Sequence, residues 1–198
     1  MKTRNTTLVA IGAITLPLLT AVPASAAPKP AAKVQVIRSI CPGEVSVSED
    51  GGRVNVTIKN FKASVGPDVN PAEGQKSCGF LVNIHIPQGF TWAIANTDTR
   101  ATADLDPEVV GEIMQSARMW GSPGADVSTH QFTGHKGNLL FTDKVPVSQL
   151  KYARCGAPDL LDLETRIRVT SSDPSGEGWV SLDFPEGGIT YSIAYKKC

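Results

Sequence analysis

Three carboxylates stand at alternate positions of the sequence, and this spacing could hold a hard cation. Asp104, Asp106 and Glu108 are separated by Leu105 and Pro107, and carboxylate oxygens are ligands that calcium prefers. The rest of an EF-hand loop is missing from the sequence, and Asp-Pro-Glu is also an ordinary helix start. We keep Asp104, Asp106 and Glu108 as candidates for a calcium site and expect no other cofactor.

Two tryptophans stand where they could contact a ligand. Trp179 is out of phase with Val180 and Leu182, so it should share the outer face of its strand with polar residues. Trp120 stands at the end of an element, before Gly121. Exposed aromatic side chains are suited to gripping sugars or peptides. We predict Trp120 and Trp179 as ligand platforms, the alternative being that Trp179 is covered by a loop or a second sheet.

The sequence contains no recognisable catalytic motif. G-x-S-x-G, H-E-x-x-H, Walker and G-x-G-x-x-G patterns are all missing from it. His85 is expected in solvent on the polar face of its strand. His130 and His135 are five residues apart and could bind a metal together only if Gly134 bends the chain. We therefore assign no catalytic or cofactor-binding residue. A pair of carboxylates for glycoside hydrolysis is defined by its separation in space and cannot be read from the sequence.

The first 26 residues have the features of a secretory signal peptide. A basic start with Lys2 and Arg4 precedes an apolar run from Leu8 to Leu19, and residues 24–26 (Ala-Ser-Ala) form a cleavage pattern. We predict cleavage after Ala26 and secretion. The apolar run has about 12 residues, whereas about 20 are needed to span a bilayer. We therefore expect no membrane anchor in the mature protein.

Secretion makes disulfides the expected state of the cysteines. Cys41, Cys78, Cys155 and Cys198 all follow the predicted cleavage site, and none forms a C-x-x-C pair of the kind that zinc sites use. Four cysteines allow three pairings. We favour Cys41–Cys78 with Cys155–Cys198, which would cross-link each half of the chain, and a Cys41–Cys198 link would contradict this pairing.

Alternation of apolar and polar residues is the dominant pattern of the chain. It recurs in segments 45–47, 54–58, 80–86, 90–94, 163–169, 180–184 and 189–195, and residues 49–52 (Glu-Asp-Gly-Gly) indicate a hairpin. Such one-sided alternation is typical of antiparallel sheets with a core face and a solvent face. We predict an all-β protein, an antiparallel β-sandwich with two disulfides. Residues 107–119 also fit helical spacing, so one short helix competes there with a strand.

The chain divides into three segments at this level. Residues 1–26 are the signal peptide, and residues 27–40 form an N-terminal arm that begins with Pro, Ala and Lys. Residues 41–198 are expected to form one β-sandwich domain.

Several short segments together resemble one family. They are residues 41–43 (Cys-Pro-Gly), 61–67 (Phe-Lys-Ala-Ser-Val-Gly-Pro), 76–78 (Lys-Ser-Cys), 86–90 (Ile-Pro-Gln-Gly-Phe), 154–156 (Arg-Cys-Gly), 163–169 (Leu-Glu-Thr-Arg-Ile-Arg-Val) and the final Cys198. In their order and cysteine positions they resemble the secreted family of domain of unknown function 4360. The resemblance implies a small exported β-protein and transfers no activity or catalytic residue. Before Cys155 that family tends to have an aromatic-serine-proline run, whereas this chain has Tyr-Ala-Arg at 152–154.

Charge and composition limit the classes of partner. The 19 basic and 19 acidic residues give a formal net charge of zero, so neither nucleic acid nor an anionic membrane is expected as a partner. We predict a monomeric extracellular binding or structural protein whose ligand is a glycan or a protein. The alternatives are a secreted hydrolase that acts through paired carboxylates and a protease inhibitor that presents the loop Gly66–Gly74.

Overall fold

The computed structural model describes residues 32–120, 124–156, 158, 160–183, 185 and 187–198. The predicted signal peptide and its cleavage site lie outside the described residues, as do Gly121 and Phe184.

These residues form twelve strands, and all pairings between the strands are antiparallel. In chain order they are β1 (Lys33–Ser39), β2 (Gly43–Val47), β3 (Arg53–Ile58), β4 (Lys62–Val65), β5 (Gln75–His85), β6 (Phe90–Leu105), β7 (Val109–Met119), β8 (Asp126–Thr133), β9 (Lys136–Lys144), β10 (Leu160–Ser171), β11 (Gly178–Ser181) and β12 (Gly188–Lys197). Two short 3-10 helices span Pro71–Gly74 and Val147–Gln149.

The strands form two sheets. The first sheet has the order β1-β5-β10-β7-β8. In the second sheet the long strand β6 pairs with β9 along one edge, while β12 and then β11 pair with successive parts of its other edge. Strands β3 and β4 extend β12 and β11, and β2 pairs with β3. The predicted antiparallel two-sheet architecture is confirmed.

The core lies between the sheets and follows the predicted alternation. On β5, Phe80, Val82 and Ile84 are buried, and on β12 the same is true of Ile189 and Tyr191. Burial of alternate apolar side chains from both sheets in one cluster is the main stabilising term of such a fold.

One hydrogen bond between buried polar side chains crosses this core. Gln115 of β7 lies in the first sheet and donates from Nε2 to Thr99 Oγ1 of β6 in the second sheet, at 2.6 Å. Both side chains are almost completely buried. A buried polar side chain is tolerated where it finds such a partner.

The segment for which a helix and a strand competed is a strand. Residues 109–119 form β7, which pairs with β10 on one side and β8 on the other. Val109, Ile113 and Ala117 are buried at odd positions, and Gly111 and Gln115 interrupt the apolar series in the same phase. The sequence of this segment fits helical spacing as well as strand alternation, and hydrogen bonding to a neighbouring strand on each edge selects the strand.

Part of the segment predicted as an N-terminal arm, residues 27–40, is a strand. Residues 33–39 form β1, which pairs with β5 from Lys33 opposite His85 to Ser39 opposite Phe80. Most of its side chains are exposed, so backbone hydrogen bonds rather than burial hold this edge strand.

The favoured cysteine pairing is confirmed. Cys41, which lies between strands of different sheets, is bonded to Cys78 of β5. Cys155, in the connection before β10, is bonded to Cys198 after β12. No cysteine is free.

The core also contains the phenol of Tyr191. Its side chain is 1% exposed, and its hydroxyl has no hydrogen-bond partner among the residues that the structure describes. Burial raises the pKa of this phenol above its ordinary value, because the charged phenolate would lose its hydration.

A matched pair of leucine substitutions tests the assignment of the core. Leu161 is 0% exposed, whereas Leu140 is 64% exposed on the outside of β9. We expect Leu161→Ala to lower the free energy of unfolding by about 3 kcal/mol, because it removes buried methyl groups and leaves a cavity. Leu140→Ala should change it by less than about 0.5 kcal/mol. Urea denaturation with both disulfides intact measures the two values, and equal losses would contradict this placement of the core.

Tyr191 also predicts how stability depends on pH. Below about pH 10 the phenol is protonated in both states. Above that pH the unfolded chain releases the proton first, so stability is lost as the pH rises towards the raised folded-state pKa.

We expect Tyr191→Phe to be at least as stable as the natural protein at pH 7, because it removes only an unpartnered buried hydroxyl. The variant should also lose less stability between about pH 10 and pH 12. Denaturation curves across this range give the comparison, and parallel pH profiles would show that Tyr191 ionises as freely in the folded state as in the unfolded one.

Candidate functional site

The outer face of the second sheet presents a continuous polar surface. On β6, Thr99, Ala101 and Ala103 are buried in the core. Asp98, Arg100, Thr102 and Asp104 occupy the alternate positions and therefore point away from it. The six-residue interval from Asp98 to Asp104 covers about 20 Å of strand.

Trp179 lies on this face. It belongs to β11, between Ser64 of β4 and Asp104 of β6, while its neighbour Val180 is fully buried on the opposite side. The indole is half-buried. The Lys62 Nζ atom lies 4.2 Å from the centre of its ring, which is the geometry of a cation–π contact. The ring therefore contacts a neighbour on the surface of its own sheet and is not covered by the first sheet.

A cleft of about 510 Å³ opens beside this ring, and we call it the Trp179 cleft. Its wall includes the loop from Gly66 to Val69, which belongs to the segment predicted as an inhibitory loop. Asp104, Lys136 and Lys62 also line it. The Lys136 Nζ atom is 3.0 Å from Asp104 Oδ1, and this hydrogen bond and the charge of Asp104 raise the pKa of Lys136. The cleft thus places the Trp179 ring near the ion pair of Asp104 and Lys136.

The three candidate calcium ligands do not converge. Asp104 is bound to Lys136, and Asp106 Oδ2 accepts a hydrogen bond from the Glu177 backbone N–H at 3.0 Å. Glu108 lies elsewhere, next to Gly176. Within the described ranges, no group of three or more His, Cys, Asp or Glu side chains could hold a metal ion. Asp104 and Asp106 instead share the cleft with Trp179, a meeting that the sequence did not indicate.

A second cleft continues the polar surface along β6. It has a volume of about 550 Å³ and is lined by Asn55, Asp98, Arg100 and Thr190, with the exposed Leu140 at its side. Hydroxyl, amide and charged groups of both signs therefore follow the strand away from Trp179. Sequence analysis missed these residues, although polar side chains at every second position of 96–104 were the signal that could have found them.

Trp120 lies on the other sheet. It is 49% exposed at the end of β7, and it lines a shallow cleft of about 320 Å³ with Ile40, Phe80 and Asp162. The two predicted platforms are therefore on different sheets and cannot form one aromatic surface. Trp120 provides a natural control for experiments on Trp179.

The histidines have separate surroundings. His85 is exposed on its strand. His130 Nε2 lies 2.8 Å from Asp143 Oδ2, and its ring stacks on Phe141 with the ring centres 4.2 Å apart. His135 faces the edge of Phe132 and its Nε2 atom is 3.3 Å from the Asn138 carbonyl oxygen. His130 and His135 thus contact different partners.

A third cleft opens between the two sheets, where the edge strands β8 and β9 lie side by side at one flank of the sandwich. It has a volume of about 470 Å³, and Gln115 and Tyr191 from the core reach its lining. We call it the inter-sheet cleft. A single polar residue in the apolar phase of β7, Gln115, was the sequence signal for it.

Comparison with solved structures finds proteins of several kinds. The carbohydrate-binding module TmCBM61, solved in complex with β-1,4-galactotriose, matches with 8% identity and a TM-score of 0.33, over 84% of this chain and 88% of that one. A virus-like particle of the Macrobrachium rosenbergii extra small virus matches with 12% identity and a TM-score of 0.26, over 96% and 94%. At these TM-scores neither likeness carries an argument about function.

A sequence relative supports the predicted location. An uncharacterized secreted protein of Arthroderma benhamiae is 27% identical over 150 residues, which are 72% of this chain and 60% of that protein. The chain thus spans less than two thirds of this relative's length. Secretion is confirmed by this relative. In the described part of the chain, no helix is both long and apolar enough to cross a membrane.

The family predicted from the cysteine positions and short segments is also confirmed. Its profile matches residues 33–198, a range that begins with β1 and ends with the disulfide-bonded Cys198. The chain belongs to the family described as Domain of unknown function (DUF4360).

Proposed function

We propose that the protein is a non-catalytic binding module that takes a neutral glycan on the outer face of its second sheet. The observation that carries this proposal is the position of Trp179, whose ring is held by Lys62 at the side of an open cleft. A fixed indole offers a flat apolar surface, and it loses little conformational entropy when a ligand covers it.

The chemistry around the ring suits a polyhydroxylated ligand without net charge. Asp104 and Lys136 neutralise each other in the Trp179 cleft, and Asp98 and Arg100 contribute opposite charges to the second cleft. Side chains of both charge signs in each cleft thus offer hydrogen-bond donors and acceptors to the hydroxyl groups of such a ligand. Because both clefts follow β6, a linear chain of sugars could contact them in succession.

The contacts of the acidic side chains favour binding over hydrolysis. A glycosidase needs one carboxyl group as a proton donor and a second carboxylate at a fixed distance. In the Trp179 cleft, Asp104 is engaged by Lys136, and Asp106 accepts the Glu177 N–H. Both carboxylates therefore have structural partners that hold them in place within the protein.

Substitution of Trp179 and of Trp120 tests the proposal. We expect affinity electrophoresis against a panel of soluble neutral glycans (mixed-linkage β-glucan, galactan, xylan and glucomannan) to show retardation of the natural protein. Trp179→Ala should bind at least ~30-fold more weakly, the loss of about 2 kcal/mol that is typical of a central tryptophan. Trp120→Ala, on the other sheet, should bind as the natural protein does. Retardation by none of the glycans, or equal binding by Trp179→Ala, would contradict the proposed site.

The contact between Lys62 and Trp179 provides a finer test. Lys62→Met keeps the length of the side chain and removes its charge, so the indole loses its cation–π partner. We expect glycan affinity to fall by about 2- to 5-fold, in line with an exposed cation–π contact. Lys59→Met, at an exposed position next to β3, is the matched control and should have no effect.

The response to salt distinguishes a neutral ligand from an ionic one. Raising NaCl to about 1 M should leave the affinity of the natural protein for the glycan nearly unchanged. A steep decrease with salt would indicate that an anionic ligand is bound by Lys62 and Lys136 instead.

A further inference from the structure

The inter-sheet cleft has the construction of a separate ligand site. It lies at the flank of the sandwich, and its lining combines residues of β6, β7 and β12 with residues of the edge strands β8 and β9. The Trp179 cleft has none of these lining residues, because it lies on the outer face of the second sheet. Its volume of about 470 Å³ lies within the range of small-molecule sites.

Two almost completely buried polar side chains line this cleft, and each has one polar atom without a hydrogen-bond partner among the described residues. Gln115 is 3% exposed and Tyr191 is 1% exposed. The Gln115 Nε2 atom is used by Thr99. Its Oε1 atom and the Tyr191 hydroxyl have no hydrogen-bond partner among the described residues. An unsatisfied buried acceptor and hydroxyl are costly to leave unpaired, and both belong to side chains that line the cleft.

The remaining lining selects for an uncharged molecule with an apolar body. Ile94, Ala117 and Val145 contribute apolar surface. The charged groups of the lining are partly neutralised within the protein: Asp126 Oδ1 lies 2.7 Å from Lys151 Nζ, and Asp143 is held by His130. An apolar wall with a few convergent polar groups is the usual composition of a small-molecule pocket.

We propose that the inter-sheet cleft binds a small, neutral, hydroxyl-bearing amphiphile. The apolar body lies against Ile94, Ala117 and Val145, and the hydroxyl group donates a hydrogen bond to Gln115 Oε1 and accepts one from the Tyr191 hydroxyl. This site is separate from the Trp179 cleft, because the two clefts share no lining residue.

A pair of isosteric probes tests the polar floor of the cleft. We use benzyl alcohol and ethylbenzene, which differ by one hydroxyl group, and follow titrations by the NMR signals of the Gln115 side-chain amide and the Tyr191 ring. Benzyl alcohol should shift both sets of signals and bind at least ~10-fold more tightly than ethylbenzene, because only the alcohol satisfies the buried groups. Failure of benzyl alcohol to bind at its solubility limit would overturn the proposal, and equal affinities would overturn the role of Gln115 and Tyr191.

Two variants locate the probe in the cleft. Tyr191→Phe should weaken benzyl alcohol by about 5- to 10-fold and leave ethylbenzene unchanged, since it removes one hydrogen bond only. Tyr195→Phe is the matched control, because the Tyr195 hydroxyl is bonded to the Gly51 carbonyl oxygen and is not part of the lining. Ala117→Leu should fill the cleft and abolish binding of both probes. Unchanged benzyl alcohol binding by Tyr191→Phe or by Ala117→Leu would place the probe elsewhere.

The same variants separate this site from the glycan site. Tyr191→Phe and Ala117→Leu should retain glycan retardation, while Trp179→Ala should bind benzyl alcohol normally. A loss of glycan binding in the cleft variants, with normal circular dichroism, would contradict the independence of the two sites.

Discussion

The architecture depends on the need of β6 to satisfy backbone hydrogen bonds along both of its edges. This strand runs for 16 residues, and a buried N–H or carbonyl without a partner would cost as much as several favourable contacts provide. The chain meets this requirement with β9 on one edge and with β12 followed by β11 on the other. Each partner fixes the position of its own neighbours, so the second sheet is assembled around one strand.

The positions of the candidate site residues follow from this pairing. Because β11 and β9 flank the last third of β6, Trp179 and Lys136 both lie opposite Asp104. Lys136 follows Asp104 by 32 positions, and Trp179 follows Lys136 by 43 positions. Only the strand register brings these three side chains to one cleft. The inward side chains of β6 at the same level are the small Ala101 and Ala103. The strand therefore packs closely on one face and presents polar chemistry on the other.

Much of the fold could be predicted from the sequence, because burial on one face leaves a period of two. Phe80, Val82 and Ile84 show this clearly, and the cysteine spacing favoured the pairing that the structure has. The prediction was incomplete where pairing rather than burial determines structure. Edge strand β1 has mostly exposed side chains, and β7 carries Gly111 and Gln115 in its buried phase.

The candidate site was predictable only in its parts. The phase of Trp179 against Val180 indicated its outward position, and alternate carboxylates drew attention to Asp104 and Asp106. That these residues meet Lys62 and Lys136 depends on strand register across distant parts of the chain, which local periodicity does not contain. The inter-sheet cleft depends on how the two sheets separate at their flank. In the sequence, the only sign of it was Gln115 among the inward-facing positions of β7.

The bond between Gln115 and Thr99 also limits how the two layers can move against each other. Apolar side chains pack with little directional preference. A purely apolar interface would therefore allow several offsets of one sheet over the other with nearly equal energy. The hydrogen bond of 2.6 Å between the two layers is directional. If one sheet shifted by a single row of side chains, both polar groups would be left without a partner in an apolar core. Gln115 thus fixes the offset of one sheet relative to the other.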